Sequence, residues 1–207
     1  MAQYFHINRQ NPQTRLIKQA AEIVAGGGLI AYPTDSSYAL GCHLEDKDAV
    51  RRIRHIRNLD RDHNFTLVAS DLKQISQFAK INNEQFRLLK TLTPGPYTFI
   101  LDAKRLVPNR LMHPKRRTIG IRIPDHTIVQ ALLSELGEPI MSSSLILPNA
   151  EIALGDPQVI RQKLEHEVDL VIDGGEVGNL PSSVIDWHGG HLKVVRAGAG
   201  DITFLQN

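Results

Sequence analysis

The stretch that decides the fold is YPTDSSYALGC, residues 32–42. Pro33 ends a short apolar strand that begins at Leu29, because its ring fixes φ and removes a backbone donor. The four short polar side chains at residues 34–37 then favour a tight turn, and extended chain resumes at Tyr38. Taken alone, such a run predicts only a polar turn between two strands. Its flanking tyrosines and the small residues that follow would also suit a shallow floor for a ligand.

Working outward, short strand and helix patterns alternate along the whole chain. Helices are predicted over residues 13–25, 48–58, 72–79, 84–91, 127–136 and 159–166. Strands are predicted over residues 4–8 (an edge strand), 29–32, 38–43, 65–69, 97–101, 118–123, 140–143, 170–173, 183–187 and 192–196. Strands with irregularly interspersed helices indicate one α/β domain, residues 1–207, with a twisted mixed sheet.

The composition is that of a globular protein without a membrane segment. Apolar residues make up 42% and charged residues 22% of the 207, as in ordinary globular domains. No stretch approaches the roughly 18 to 20 apolar residues of a membrane span, and the N-terminus has no secretory pattern. Cys42 is the only cysteine and the nine histidines show no metal spacing. These features predict a cytoplasmic protein with no disulfide, no metal site and no catalytic histidine.

Positive charge is concentrated in two groups, although the net charge is only +2. The first contains five arginines between Arg51 and Arg61, and the second is Lys115, Arg116 and Arg117, followed by Arg122. Local basic faces of this kind favour anionic partners.

Six blocks of the sequence, in the same order, resemble the YrdC-like family, most closely its short stand-alone YciO branch. Together they span about residues 12–200. The blocks are residues 32–42, Pro94 to Thr98, the strand IGIRIP ending at Pro124, Ser142 to Ser144, Ser182 to Asp186, and Arg196 to Gly198.

The resemblance implies a fold, a reaction and partners. YrdC-like domains have an open, twisted α/β sheet with a basic concave surface, similar to one implicated in binding double-stranded RNA. Active members make threonylcarbamoyl-adenylate from threonine, bicarbonate and ATP, for the modification of adenosine 37 in tRNA. The implied ligands are therefore ATP or AMP, with Mg²⁺ if the chain is catalytic, a threonine-like amino acid, and tRNA or double-stranded RNA.

The family's binding residues transfer to matching positions, and no residue is assigned a catalytic role. The nucleotide- or substrate-binding candidates are Thr34, Ser36, Arg57, Arg61, Arg122, Ser143, Ser144, Ser182, Ser183 and Arg196. Arg122 alternates with the isoleucines of its strand, so it faces the site or, equally, solvent at a sheet edge.

Two departures from the family pattern affect the chemistry. Where the family has Lys-any-Arg-Pro, Arg57 replaces the lysine and Leu59 the second cation, unless a shifted loop brings in Arg61. Where the family has Ser-Ala-Asn, the asparagine position holds Leu145 or Ile146. An apolar side chain there would cost on the order of 1 to 3 kcal/mol if its partner stays buried and unpaired. Both changes predict a weakened or altered synthase.

Other interpretations remain open at this stage. Residues 57–64 could be a solvated helix face in which Asp60 and Asp62 neutralise some of the arginines. The chain could also be a non-catalytic RNA-binding protein, or could transfer a carbamoyl group to another amine or nucleotide. The RNA-binding candidates are Arg51, Arg54, Arg57, Lys115, Arg116 and Arg117.

Overall fold

One mixed sheet of ten strands organises the part of the chain that the structure, a computed structural model, describes: residues 1–60, 63 and 65–205. The strands are β1 (Gln3–His6), β2 (Ile30–Tyr32), β3 (Ala39–His43), β4 (Thr66–Val68), β5 (Tyr97–Asp102), β6 (Thr118–Arg122), β7 (Ile140–Ser144), β8 (Leu170–Asp173), β9 (Ser183–His188) and β10 (His191–Arg196). The helices are α1 (Thr14–Ala25), α2 (Lys47–Arg57), α3 (Leu72–Phe78), α4 (Asn83–Leu92), α5 (Thr127–Leu136) and α6 (Pro157–Leu164), with a 3₁₀ turn at Thr203–Leu205. The predicted α/β fold class is confirmed.

The strand order is β1-β8-β2-β3-β7-β4-β6-β5-β9-β10. Parallel pairs (β1 with β8, β4 with β6, β5 with β9) mix with antiparallel ones. The first strand lies at an edge, as predicted. The strand that ends in Arg122 is central, because β6 pairs with β4 on one side and β5 on the other. The alternative that placed Arg122 on a solvent-facing edge is therefore wrong.

The two faces of the sheet are covered differently. Helices α2, α3, α4 and α6 pack their apolar residues against one face, which includes Leu67, Phe99 and Ile121. On the other face, α1 and α5 pack together over Ile30, Tyr32 and their neighbours. Side chains alternate between faces along a strand, so Thr66 and Thr98 also point to the second face. They lie on a part of that face that α1 and α5 do not cover, and Gly120 lies there too. This open part of the sheet forms the floor of the site.

Local signals explain where several elements begin and end. Asp46 caps α2, and its carboxylate accepts from the backbone of Asp48 (2.9 Å) and Ala49 (2.7 Å). Helix α6 starts two residues earlier than predicted, because Asp156 caps it and Pro157 suits its first turn. No helix within the described ranges is long and apolar enough to cross a membrane.

Candidate active site

A cavity of about 200 Å³ lies on the open part of the sheet. Its floor comes from alternate residues of the central strands, and its walls from the ends of α2, β7 and β10. The residues that line it are Ala39, Arg57, His63, Thr66, Val68, Thr98, Ile100, Gly120, Arg122, Ser142, Ser143, Ser144, Ser182, Val184, Val195 and Arg196. Sites that enclose a whole drug-sized ligand measure about 300 to 1,000 Å³, so this cavity would enclose only part of such a ligand.

Arg57 enters the cavity from the last turn of α2. Its Nη1 donates to the hydroxyl of Ser143 at 2.6 Å, and its Nε donates to the carbonyl of Ile146 at 3.0 Å. Burial, reinforced by nearby Arg196, lowers the pKa of Arg57 to about 10. The guanidinium therefore stays charged at neutral pH and has lost much of its hydration, so that it would gain from an anion.

Arg196 approaches from β10, beside a β-bulge. A regular strand would send Val195 and Arg196 to opposite faces, but the register shift between Val194 and Arg196 lets both line the cavity. Two nitrogens of Arg196 donate to the carbonyl of Ser182, at 3.0 and 2.8 Å. Burial, and then the charge of Arg122, lower the pKa of Arg196.

Arg122 is held by the turn of residues 33–37, PTDSS, which we call the PTDSS turn. Its Nη2 pairs with the carboxylate of Asp35 and donates to Thr34 Oγ1 (3.2 Å) and Ser36 Oγ (2.9 Å). The other oxygen of Asp35 accepts from the backbone of Asp125 at 2.9 Å. Arg122 Nε is buried and has no partner among the described residues. A buried donor of this kind is costly unless a ligand or water satisfies it.

The structure brings the predicted serines to different positions. Ser143, Ser144 and Ser182 line the cavity, whereas Thr34 and Ser36 lie behind Arg122 and reach the cavity only through it. The hydroxyl of Ser183 is directed away and donates to the carbonyl of Gly200 at 2.6 Å.

Neither alternative for the family's asparagine position places a polar side chain at the cavity. Leu145 is fully buried in the core. Ile146 contributes its carbonyl, which accepts from Arg57. Leu59 is half-buried against the same core, so it supplies no second cation. The alternative cation, Arg61, lies outside the described residues.

Several residues that line the cavity were not predicted as site residues from the sequence, and the most important of them is His63. Burial, followed by the charges of Arg57 and Arg54, lowers the pKa of His63 to about 4, so its imidazole is neutral at pH 7. Its ring packs edge-on against Phe65, with 5.5 Å between centroids. The polar members of the floor, Thr66 and Thr98, were also missed. Their alternation with core residues was the available signal.

The RNA-binding candidates are scattered and partly neutralised. Arg51 pairs with exposed Asp48, and Arg116 pairs with Asp186 at 2.6 Å. Arg54 lies over the ring of Phe65 and donates to the carbonyl of Asp60. Lys115 and Arg117 are exposed before β6, roughly a strand's length from Arg122 at its other end.

The fold is an open α/β sheet, and its site is a cavity lined by three arginines. These two features define the class of protein with which this chain is compared. Residues 22–198 match the model of the Sua5/YciO/YrdC family, which is described as "Telomere recombination". The chain therefore belongs to the Sua5/YciO/YrdC family, as its sequence blocks predicted.

The comparisons also bear out the resemblance to the YciO branch. The chain is 52% identical to YciO of Escherichia coli (strain K12), over 98% of each chain. It is 54% identical to a protein of Haemophilus influenzae, over 97% of each. The E. coli YciO crystal structure superposes with a TM-score of 0.96. P. abyssi Sua5, crystallised with L-threonine, gives 0.90 at 25% identity, over 98% of this chain and 59% of that one.

Within the described residues, no group of three or more His, Cys, Asp or Glu side chains could hold a metal ion. The described residues that line the cavity supply guanidiniums, an imidazole, hydroxyls and apolar groups, and none of them is a carboxylate.

Proposed function

We propose that the cavity binds the phosphate end of an adenine nucleotide together with a threonine-like amino acid. We further propose that the chain makes an aminoacyl-carbamoyl adenylate, as a weakened or altered relative of threonylcarbamoyl-adenylate synthases. The observation that carries this is the meeting of Arg57, Arg122 and Arg196 on one cavity. Guanidiniums match the planar, bidentate geometry of phosphate and carboxylate oxygens.

The proposed reaction needs few groups from the protein. The amine attacks bicarbonate, forming a carbon–nitrogen bond and releasing water to give a carbamate. A carbamate oxygen then attacks the α-phosphorus of ATP, and the bond from that phosphorus to the bridging oxygen breaks as pyrophosphate leaves. Charge develops on the phosphate oxygens, where fixed guanidiniums stabilise it without reorganising.

The two departures support the weakened form. At the family's asparagine position, Leu145 or Ile146 offers an apolar side chain where an asparagine could bond a substrate, and Arg57 already occupies the carbonyl of Ile146. At the family's second cation position, Leu59 packs into the core. A lost hydrogen bond to a buried group costs on the order of 1 to 3 kcal/mol, or about tenfold in rate for each 1.4 kcal/mol.

The test is pyrophosphate release from ATP and Mg²⁺ in the presence of bicarbonate and a panel of amino acids. We expect slow release with threonine or a close analogue, and an adenylate product detectable by mass spectrometry. Arg196→Ala should lower the rate about tenfold or more. Arg87→Ala, an exposed change on α4, serves as the matched control. Release no faster than a buffer blank with every amino acid would remove the enzyme proposal, and a different adenylate would favour another carbamoyl acceptor.

A second candidate is a non-catalytic RNA-binding protein that uses the same basic surface. Favouring it, the chain lacks polar groups at Ile146 and Leu59 yet keeps exposed cations at Lys115 and Arg117. This candidate predicts affinity for double-stranded RNA or tRNA that falls steeply with salt. It also predicts weaker binding by the triple change of Arg51, Arg54 and Arg57 to alanine. Unchanged RNA affinity in that variant would count against it.

A further inference from the structure

The charged groups at the cavity do not contribute equally. Three guanidiniums line it, from Arg57, Arg122 and Arg196, and His63 is neutral at pH 7. Among the described residues, the carboxylate of Asp35 pairs with Arg122, and no carboxylate pairs with Arg57 or Arg196. The side chains of Arg122 and Asp35 are 6% and 8% exposed, so water screens the pair poorly.

Arg57 and Arg196 are bonded differently. The partners that the structure gives them are neutral, the hydroxyl of Ser143 and the carbonyls of Ile146 and Ser182. Neutral acceptors hold a guanidinium in place without cancelling its charge. Two positive charges therefore remain at the cavity from the described residues.

We propose that Asp35 sets the charge that this cavity accepts. By neutralising and positioning Arg122, it leaves the cavity matched to the dianionic end of a ligand. That end is one phosphate group, or a phosphodiester and a carboxylate side by side. An acyl-adenylate that keeps its amino-acid carboxylate belongs to the second kind, and this identification alone rests on the proposed function.

Asp35 is a positioning residue here, because it does not line the cavity and acts through Arg122. Its carboxylate pairs with Nη2 of Arg122, which also donates to the hydroxyls of Thr34 and Ser36. A dianion in the cavity would meet the full charges of Arg57 and Arg196, whereas Asp35 offsets the charge of Arg122.

The experiment measures the affinity of phosphate, pyrophosphate and tripolyphosphate by calorimetry, without Mg²⁺, in the full-length chain. For the wild type we expect binding of phosphate, with tripolyphosphate no more than a few-fold tighter. Asp35→Asn adds one net positive charge to the cavity. It should raise the ratio of tripolyphosphate to phosphate affinity about tenfold or more, by the Coulomb energy of one charge at an intermediate dielectric.

Three further variants separate the effect of the charge of Asp35 from the effect of structural damage. Asp35→Glu keeps the carboxylate and should restore the wild-type ratio. Asp48→Asn makes the same charge change at an exposed ion pair on α2 and should leave the ratio unaltered. Arg122→Gln removes a cation beside an intact Asp35 and should shift the ratio the opposite way, which keeps the test valid if Asp35→Asn does not fold.

The outcomes separate this inference from the proposed function. A purely structural Asp35 would weaken all three anions alike and leave the ratio unchanged, which would overturn the inference. Failure of the wild type to bind any of the three anions would overturn it too. If the ratios shift as expected while no pyrophosphate is released from ATP, the charge setting stands and the synthase proposal fails.

Discussion

At the scale of single residues, burial without a hydrogen-bond partner determines the pKa of His126. It precedes α5 and is only 2% exposed, and neither ring nitrogen has a hydrogen-bond partner among the described residues. Burial is the main reason that its pKa falls to about 4, and the charge of Arg9 adds to it. A histidine in the unfolded chain has a pKa near 6.5.

This difference in pKa predicts a loss of stability in mild acid. Between about pH 6.5 and 4 the unfolded chain binds the proton more tightly, so folding stability falls as the pH decreases. From pH 7 to 5, His126 alone should remove about 2 kcal/mol. In urea unfolding at both pH values, His126→Gln should lose less stability than the wild type by that amount. The exposed change His166→Gln is the control, and an unaltered pH dependence in His126→Gln would refute the assignment.

At the scale of elements, α2 is capped by Asp46 at its start and carries Arg57 at its end. Asp46 bonds two backbone donors at the start of the helix, and Arg57 stands in its last turn. Replacing a carboxylate cap with alanine usually costs about 1 kcal/mol. We expect Asp46→Ala to lower the free energy of unfolding by this amount and Asp46→Asn to change it little. Equal losses in the two variants would show that capping is not the cause.

At the scale of the whole molecule, the cavity exists only when the sheet is assembled. Its lining comes from α2 and from seven strands, β3 to β7, β9 and β10, which are separated by most of the chain. An anion that binds there should stabilise the folded state alone. With phosphate at about 100 times its Kd, the gain should be about 2.7 kcal/mol.

The measurement is thermal unfolding with and without phosphate. The double variant of Arg57 and Arg196 to alanine should lose the phosphate-dependent rise in Tm, whereas Arg87→Ala should keep it. A rise of the same size in all three proteins would place the anion elsewhere on the surface.

The sequence by itself determined the elements and their order, because the signals for these are local. Pro33 stops β2, Asp46 begins α2 and Gly137 ends α5 in the left-handed conformation. The differences are small. Helix α6, for example, begins two residues before its predicted start, because Asp156 caps it and Pro157 suits its first turn. The motif blocks likewise led to the family, since residue types in a fixed order can be recognised without knowing their contacts.

Only the tertiary structure decided which residues meet. Arg57, Arg122 and Arg196 lie far apart in the chain, and strand order brings them to one cavity. The same packing paired Asp35 with Arg122, placed Thr34 and Ser36 behind that arginine, and brought the carbonyl of Ile146 to Arg57. The physical reason is that turns and caps depend on neighbours in sequence, whereas the charge of a site depends on long-range contacts and on the water that burial removes.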